Sequence, residues 1–241
     1  MFISVDVFNV QRNIPTGSKT IDEYLGGGLP AESISLIYGE AETGKTTLAM
    51  QCAVSCAKQG NKTLFIDCDD TFSVQRLSQV TAKQFTEMAE MIVLAKPHDF
   101  REQAAIIDQL AQYVANNFGL TVIDTLTSLY RLRVSESPSK TFELNRELNR
   151  QLAVLAQTAK IKKIAVLVTS QVHSVLDEVP ASVEPVATRV LKFWASTIIS
   201  LKPTENPQIV EMTLEKSPQK LQPKTRNLRI DESGMRDYSG H

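Results

Sequence analysis

The chain alternates between short runs of consecutive apolar residues and longer runs in which apolar residues recur every three or four positions. SISLIY (33–38), TLFID (63–67), MIVLA (91–95), GLTVID (119–124) and IAVLVTSQ (164–171) are short and largely without polar alternation. That pattern predicts strands covered on both faces. TTLAMQCAVSCAKQG (46–60) reads as a helix, as does 101–117, where Ala104, Ile107, Leu110, Ala111 and Val114 share one face. Residues 141–160 predict a long helix with a stripe of Leu144, Leu148, Leu152 and Leu155. Strand and helix in turn imply an α/β fold: a mostly parallel sheet flanked by helices. Beyond 190 the character changes. STIISL (196–201), IVEMTLE (209–215) and NLRID (227–231) have short connections and no helix between them, which predicts antiparallel C-terminal strands extending the sheet. No repeat or long linker interrupts the chain, so 1–241 is expected to be a single core domain.

Composition narrows the class. With 241 residues, 42% hydrophobic and 22% charged, the chain is of ordinary globular make-up. Its net charge of −1 removes any global electrostatic argument for nucleic acid, so such an argument has to be local. Cys52, Cys56 and Cys68 lack metal-ligand spacing and read as reduced core thiols. His98, His173 and His241 form no metal pattern, and Phe193 and Trp194 are expected in the core. No apolar run approaches the ~20 residues of a membrane span. The start, MFISVDVFNV, lacks signal-peptide features, so a cytoplasmic location is expected.

One contiguous motif changes the picture. Residues 39–46 read GEAETGKT, the G-x-x-x-x-G-K-[ST] spacing of a phosphate-binding loop. Gly39 and Gly44 permit a tight turn in which backbone N–H groups converge, with Glu40, Ala41, Glu42 and Thr43 forming the cradle. A helix beginning near Lys45 adds its dipole. Lys45 would reach the β/γ-phosphates, Thr46 would hold Mg2+, and Thr47 continues the site. Such a pattern occurs by chance in roughly one chain of this length in a hundred, given ordinary glycine usage. The strand before it and the helix after it supply the context that chance does not.

In open parallel sheets, ligands sit beyond the carboxyl ends of the strands. Asp124 ends one strand, where a carboxylate can be a second Mg2+ ligand. Asp69 and Asp70 follow another, placed to orient an attacking water or else to cap a turn. Gln171 ends a third, placed to sense a terminal phosphate.

Longer stretches resemble the RecA/RadA recombinase core. NIPTGSKTIDEYLGGGLPAESISLIYGEAETGKT (13–46) is similar to its opening, FIDCDDTFSVQRL (65–77) to its I-D-T-E-x-x-F-x-x-x-R stretch, and residues 146–172 to its helix followed by a strand ending in Gln. The resemblance covers essentially the whole chain. It implies a RecA-like fold binding ATP and Mg2+ and a role in DNA recombination and repair. It also implies that Arg76 stacks on adenine and that Gln171 couples the terminal phosphate to a DNA-binding loop. The helical DNA-binding domain that precedes the core in full-length RadA is not expected here, which makes the chain similar to short archaeal paralogues of RadA. Where the family has a water-activating Glu, this chain has Asp69. The resemblance therefore implies a weak ATPase without strand exchange of its own, acting beside RadA or a Holliday-junction resolvase, with homo-oligomerisation open. An active DNA-dependent recombinase and a KaiC-like ATPase switch are the alternatives.

Two loops correspond to DNA-facing loops of that family. The first, 125–140, carries Tyr130, Arg131 and Arg133, an aromatic with two cations suited to stacking and phosphate contact. The second, 172–189, offers only His173 and Arg189 as basic candidates. Lys216, Lys220, Lys224, Arg226 and Arg229 make the tail basic. They read either as a DNA-phosphate patch, as a solvated hairpin face, or as subunit contacts.

Overall fold

The computed structural model describes residues 13–172, 186–219 and 222–238. Its strands are β1 (Ile34–Gly39), β2 (Lys62–Asp67), β3 (Ile92–Ala95), β4 (Phe118–Asp124), β5 (Ala165–Gln171), β6 (Ala195–Pro203), β7 (Ile209–Lys216), β8 (Lys224–Asp231) and β9 (Gly234–Asp237). They form one sheet in the order β3-β2-β4-β5-β1-β6-β7-β8-β9. Its helices are α1 (Lys19–Leu25), α2 (Lys45–Lys58), α3 (Val74–Thr81), α4 (Phe85–Ala89), α5 (Phe100–Asp108), α6 (Leu110–Tyr113), α7 (Ser128–Glu136), α8 (Thr141–Lys162) and α9 (Val186–Trp194).

The apolar strands lie where their composition directs them. β1 is central, paired in parallel with β5 and β6, and buries both faces. Ile37 points into a core shared with Leu48, Met50 and Cys52 of α2 and Ile21 of α1. Ile34 and Leu36 point the other way, into a core shared with Leu148, Leu152 and Leu155 of α8 and Leu191 of α9. A third, smaller cluster joins Val54 and Ala57 of α2 to Leu77 of α3 and Met88 of α4. Helix α2 is therefore apolar on nearly every side, because it is wedged between the sheet and an outer layer.

Three expectations change. The strand at 196–201 is not antiparallel: β6 pairs in parallel with β1, and antiparallel pairing starts at β7. Helix α9, unforeseen, returns the chain to the amino edge of the sheet before β6 begins, as a parallel crossover requires. The helix expected over 101–117 breaks at Gln109 and ends at Tyr113. Ala111 is exposed, and Gln103 takes a place on the buried face, because its amide donates to the Leu126 carbonyl (3.2 Å) and to Gln151 Oε1 (2.8 Å). Finally, Phe193 is 77% exposed and lies outside the core. Trp194 is half-buried, with its indole N–H on Asn149 Oδ1 at 2.8 Å.

Candidate functional site

The strand order reverses around β1: α2 carries the chain from β1 to β2 on one side, while β6 pairs on the other. Ligand crevices in open α/β sheets form at such a point. The glycine-rich loop occupies it. Gly44 closes the loop with φ 83°, a left-handed conformation glycine adopts without strain, and a Cβ there would meet Ile230 and Met235 at 2.7 Å. Lys45 is the first residue of α2, and its N-cap Gly44 has no side chain to cap the helix start, so the first-turn N–H groups face the loop without a side-chain partner among the described residues. The buried Thr43 donates to the Glu40 carbonyl at 2.9 Å. Lys45 Nζ folds into the loop, donating to that same carbonyl and lying 3.4 Å from Thr43 Oγ1. Burial pulls the Lys45 ammonium below its ordinary pKa, against the opposing pull of Asp124 and Asp69. An anion in the loop would restore a counter-charge to that buried cation.

Asp124 ends β4 fully buried. Its Oδ1 accepts from the Thr169 hydroxyl, while its buried Oδ2 has no hydrogen-bond partner among the described residues. Burial raises the carboxyl's pKa, opposed by the hydrogen bond from Thr169 and by the nearby Thr46 hydroxyl. A desolvated carboxylate oxygen without a donor, beside a threonine hydroxyl, fits a hard cation that takes oxygen ligands.

Asp69 sits across the crevice, half-buried, and accepts a hydrogen bond from Ser128 Oγ at the start of α7. Burial raises its pKa, opposed by Thr125 and by the Arg131 guanidinium. Asp70 does not join the site: it is exposed and ion-paired with Lys96. The buried carboxylate next to it, Asp67, accepts from the Thr71 and Phe72 amides at 3.0 Å each and so shapes the turn that presents Asp69. Gln171 ends β5 beside Gly39, and its carbonyl accepts from Arg131 Nη1 at 2.9 Å.

Arg76 lies near the start of α3. Its guanidinium reaches Thr47 Oγ1 (3.3 Å), Gln79 Oε1 (3.1 Å) and the carbonyls of Asp231 (2.8 Å) and Glu232 (3.2 Å). Guanidinium N–H groups donate in the plane of the group, so these bonds do not themselves occupy its faces. The β8–β9 turn is thereby tied to the phosphate-loop helix, and Gln51 of α2 ties it further. The Gln51 amide donates to the Met235 carbonyl (3.0 Å) and accepts from the Met235 N–H (2.7 Å). Sequence reading missed Gln51, Ser128 and Thr169, whose partners are far away in the chain. The Thr169-Ser170-Gln171 run of hydroxyl and amide at a strand's carboxyl end was the one local signal.

The residues expected to meet DNA are dispersed. Residues 125–140 form α7 and a 3-10 turn, not an open loop. Tyr130 is buried, its hydroxyl on Asn145 and its ring edge-on to Phe100, so it offers no face to a base. Arg131 turns into the crevice, while Arg133 pairs with Glu136 at 2.9 Å on the surface. Lys216 donates to the Ala195 carbonyl at 2.6 Å, and Lys224 stands over the Tyr24 ring at 4.5 Å. Arg226 and Arg229 are exposed, but strand alternation sends them to opposite faces of β8. Lys220, His173 and His241 lie outside the described residues. No helix among the described residues is long and apolar enough to cross a membrane.

Known proteins resemble this chain over most of its length. The Rad51 family model matches residues 9–238. "DNA repair and recombination protein RadB" of Thermococcus onnurineus is 33% identical, covering 94% of this chain and 98% of the relative. The protein of the same name from Methanothermobacter thermautotrophicus is 32% identical over 81% of this chain and 83% of its own. A solved structure, described as the RadB recombinase, superposes with a TM-score of 0.80 at 32% identity, covering 94% of this chain and all of that one. The mostly parallel sheet with antiparallel C-terminal strands is thus a RecA-like fold, and the chain belongs to the Rad51 family.

Proposed function

We propose that this chain is a RadB-like DNA repair and recombination accessory protein, acting in the cytoplasm as a single ATPase core that binds Mg-ATP and hydrolyses it slowly. The carrying observation is the pairing of an unpartnered, buried Asp124 Oδ2 with a complete phosphate loop. Thr46 and Asp124 would hold Mg2+, which supplies charge neutralisation at the β- and γ-phosphates. Lys45 and the N–H groups of the loop, Gly39 through Thr46 with Thr47 beside them, would bind the phosphates. The faces of Arg76 would stack on the adenine.

Slow turnover follows from Asp69. Its carboxylate is one methylene shorter than the family's Glu, and it is already engaged by Ser128. A displacement of about 1 Å at a reacting group can cost on the order of 100-fold in rate. Bound ATP then serves mainly as a conformational signal, read at Gln171, that controls engagement of DNA and of a partner such as RadA or a Holliday-junction resolvase. Of the basic residues, Lys224 and Arg226 of β8 remain candidates for DNA-phosphate contacts, and Lys220 stays in that proposal from the sequence alone. ATP turnover measured with and without single-stranded DNA tests the reading. Low rates in both conditions support it. Brisk DNA-stimulated turnover points to a self-sufficient recombinase, and ATP binding without any DNA binding points to a KaiC-like switch.

A further inference from the structure

Helix α7 is stitched to the carboxyl ends of three strands. It follows directly from β4. Its preceding residue, Thr127, shares a hydroxyl–hydroxyl bond of 3.0 Å with Ser170 of β5, and Ser128 holds Asp69 beyond β2. Arg131, one turn further on, bonds the Gln171 carbonyl at 2.9 Å. Its guanidinium is half-buried and carries five donors, of which the described residues take one. It feels the charge of Asp69, and Lys45 feels it as a second cation. A half-buried fork with spare donors, anchored on the strand end that pairs with Gly39 of the loop, suits an additional phosphate oxygen better than it suits solvent.

We propose that Arg131 belongs to the phosphate site, as a fixed second cation that favours a triphosphate over a diphosphate, and that it is not a DNA contact. The proposal rests on the nucleotide-binding reading above. Its bond to Gln171 fixes the end of β5 at the same time, so the groups meant to meet a terminal phosphate are held together before it arrives. The surface arginine one turn along, Arg133, is paired with Glu136 and takes no part.

The test is calorimetric binding of Mg-ATPγS and Mg-ADP to the full chain, comparing wild type with Arg131→Gln, Arg131→Lys and Arg133→Ala. Arg131→Gln is expected to weaken ATPγS about tenfold while ADP stays within about twofold, as loss of one charge-assisted contact to the terminal phosphate predicts. Arg131→Lys recovers part of the difference, and Arg133→Ala leaves both affinities unchanged. Equal weakening of both nucleotides assigns Arg131 a purely structural role and overturns the proposal. So does an unchanged preference accompanied by a loss of DNA affinity. A wild-type protein that binds neither nucleotide overturns the phosphate-site reading itself, whereas wild-type binding with an unchanged ratio in Arg131→Gln removes only Arg131.

Discussion

The parallel part of the sheet, β3 through β6, and the antiparallel part, β7 through β9, contribute to the crevice in different ways. The parallel strands place chemistry at their ends: the phosphate loop after β1, Asp69 after β2, Asp124 on β4 and Gln171 on β5. Their carboxyl ends all point one way, so short motifs far apart in the chain converge. The antiparallel strands contribute no such end group. Their turn and last strand press instead against the start of α2, where Ile230 and Met235 approach Gly44 and where Arg76 and Gln51 bind their backbone. A basic tail that suggested a DNA surface is thus also a buttress for the nucleotide loop. One region gathers the candidate site's side chains at its strand ends, and the other braces the loop and its helix through backbone contacts.

The largest effect that would sharpen this contrast is at the loop. Lys45→Ala is expected to weaken Mg-ATP about a thousandfold, ~4 kcal/mol, with little change in folding, checked by calorimetry and thermal melting. Wild-type-like affinity would contradict the role of the parallel half. Next comes the buttress. Gln51→Leu strands the buried N–H and carbonyl of Met235, and at ~1–3 kcal/mol for each unsatisfied group the fold should lose about 3 kcal/mol in urea unfolding. An unaffected midpoint would mean that the hairpin docks by apolar contact alone.

Smaller effects probe each half in turn. Asp69→Glu restores the longer carboxylate and is expected to raise ATP turnover about tenfold, part of the ~100-fold attached to a 1 Å displacement. A wild-type rate that is already fast, or a Glu variant no faster, removes the explanation for slow hydrolysis. Lys224→Ala loses a cation over the Tyr24 ring and should cost under ~1 kcal/mol of stability. If DNA affinity also falls steeply with this change and its salt dependence flattens, the hairpin is a binding surface as well as a buttress.

Legibility in the sequence followed the range of the interactions. Strands β1, β2, β4 and β5 and the long helix α8 announce themselves through composition and period within a dozen or so residues. The phosphate loop is contiguous, so its eight positions were readable together. Asp124 and Gln171 were readable because each ends an apolar strand. Asp69 was readable as a carboxylate but not as one held by Ser128, which lies 59 positions away. Tyr130 and Arg131 looked alike as DNA candidates, and only helix α7 separates them, turning the ring into the core and the guanidinium into the crevice. The direction of β6 was hidden because it depends on a nine-residue crossover helix rather than on the strand's own residues.

The residues alone determined an α/β core with a phosphate loop, a strand-end carboxylate and a polar strand end, because periodicity and contiguous motifs are local properties of the chain; its RecA-like character was legible only as a resemblance to a known family. The tertiary structure decided which charges face that loop. Gln51 meets Met235 across 184 positions, and Arg76 meets Asp231 across 155. Such contacts depend on how layers pack, and packing is settled only when the whole sheet closes around α2.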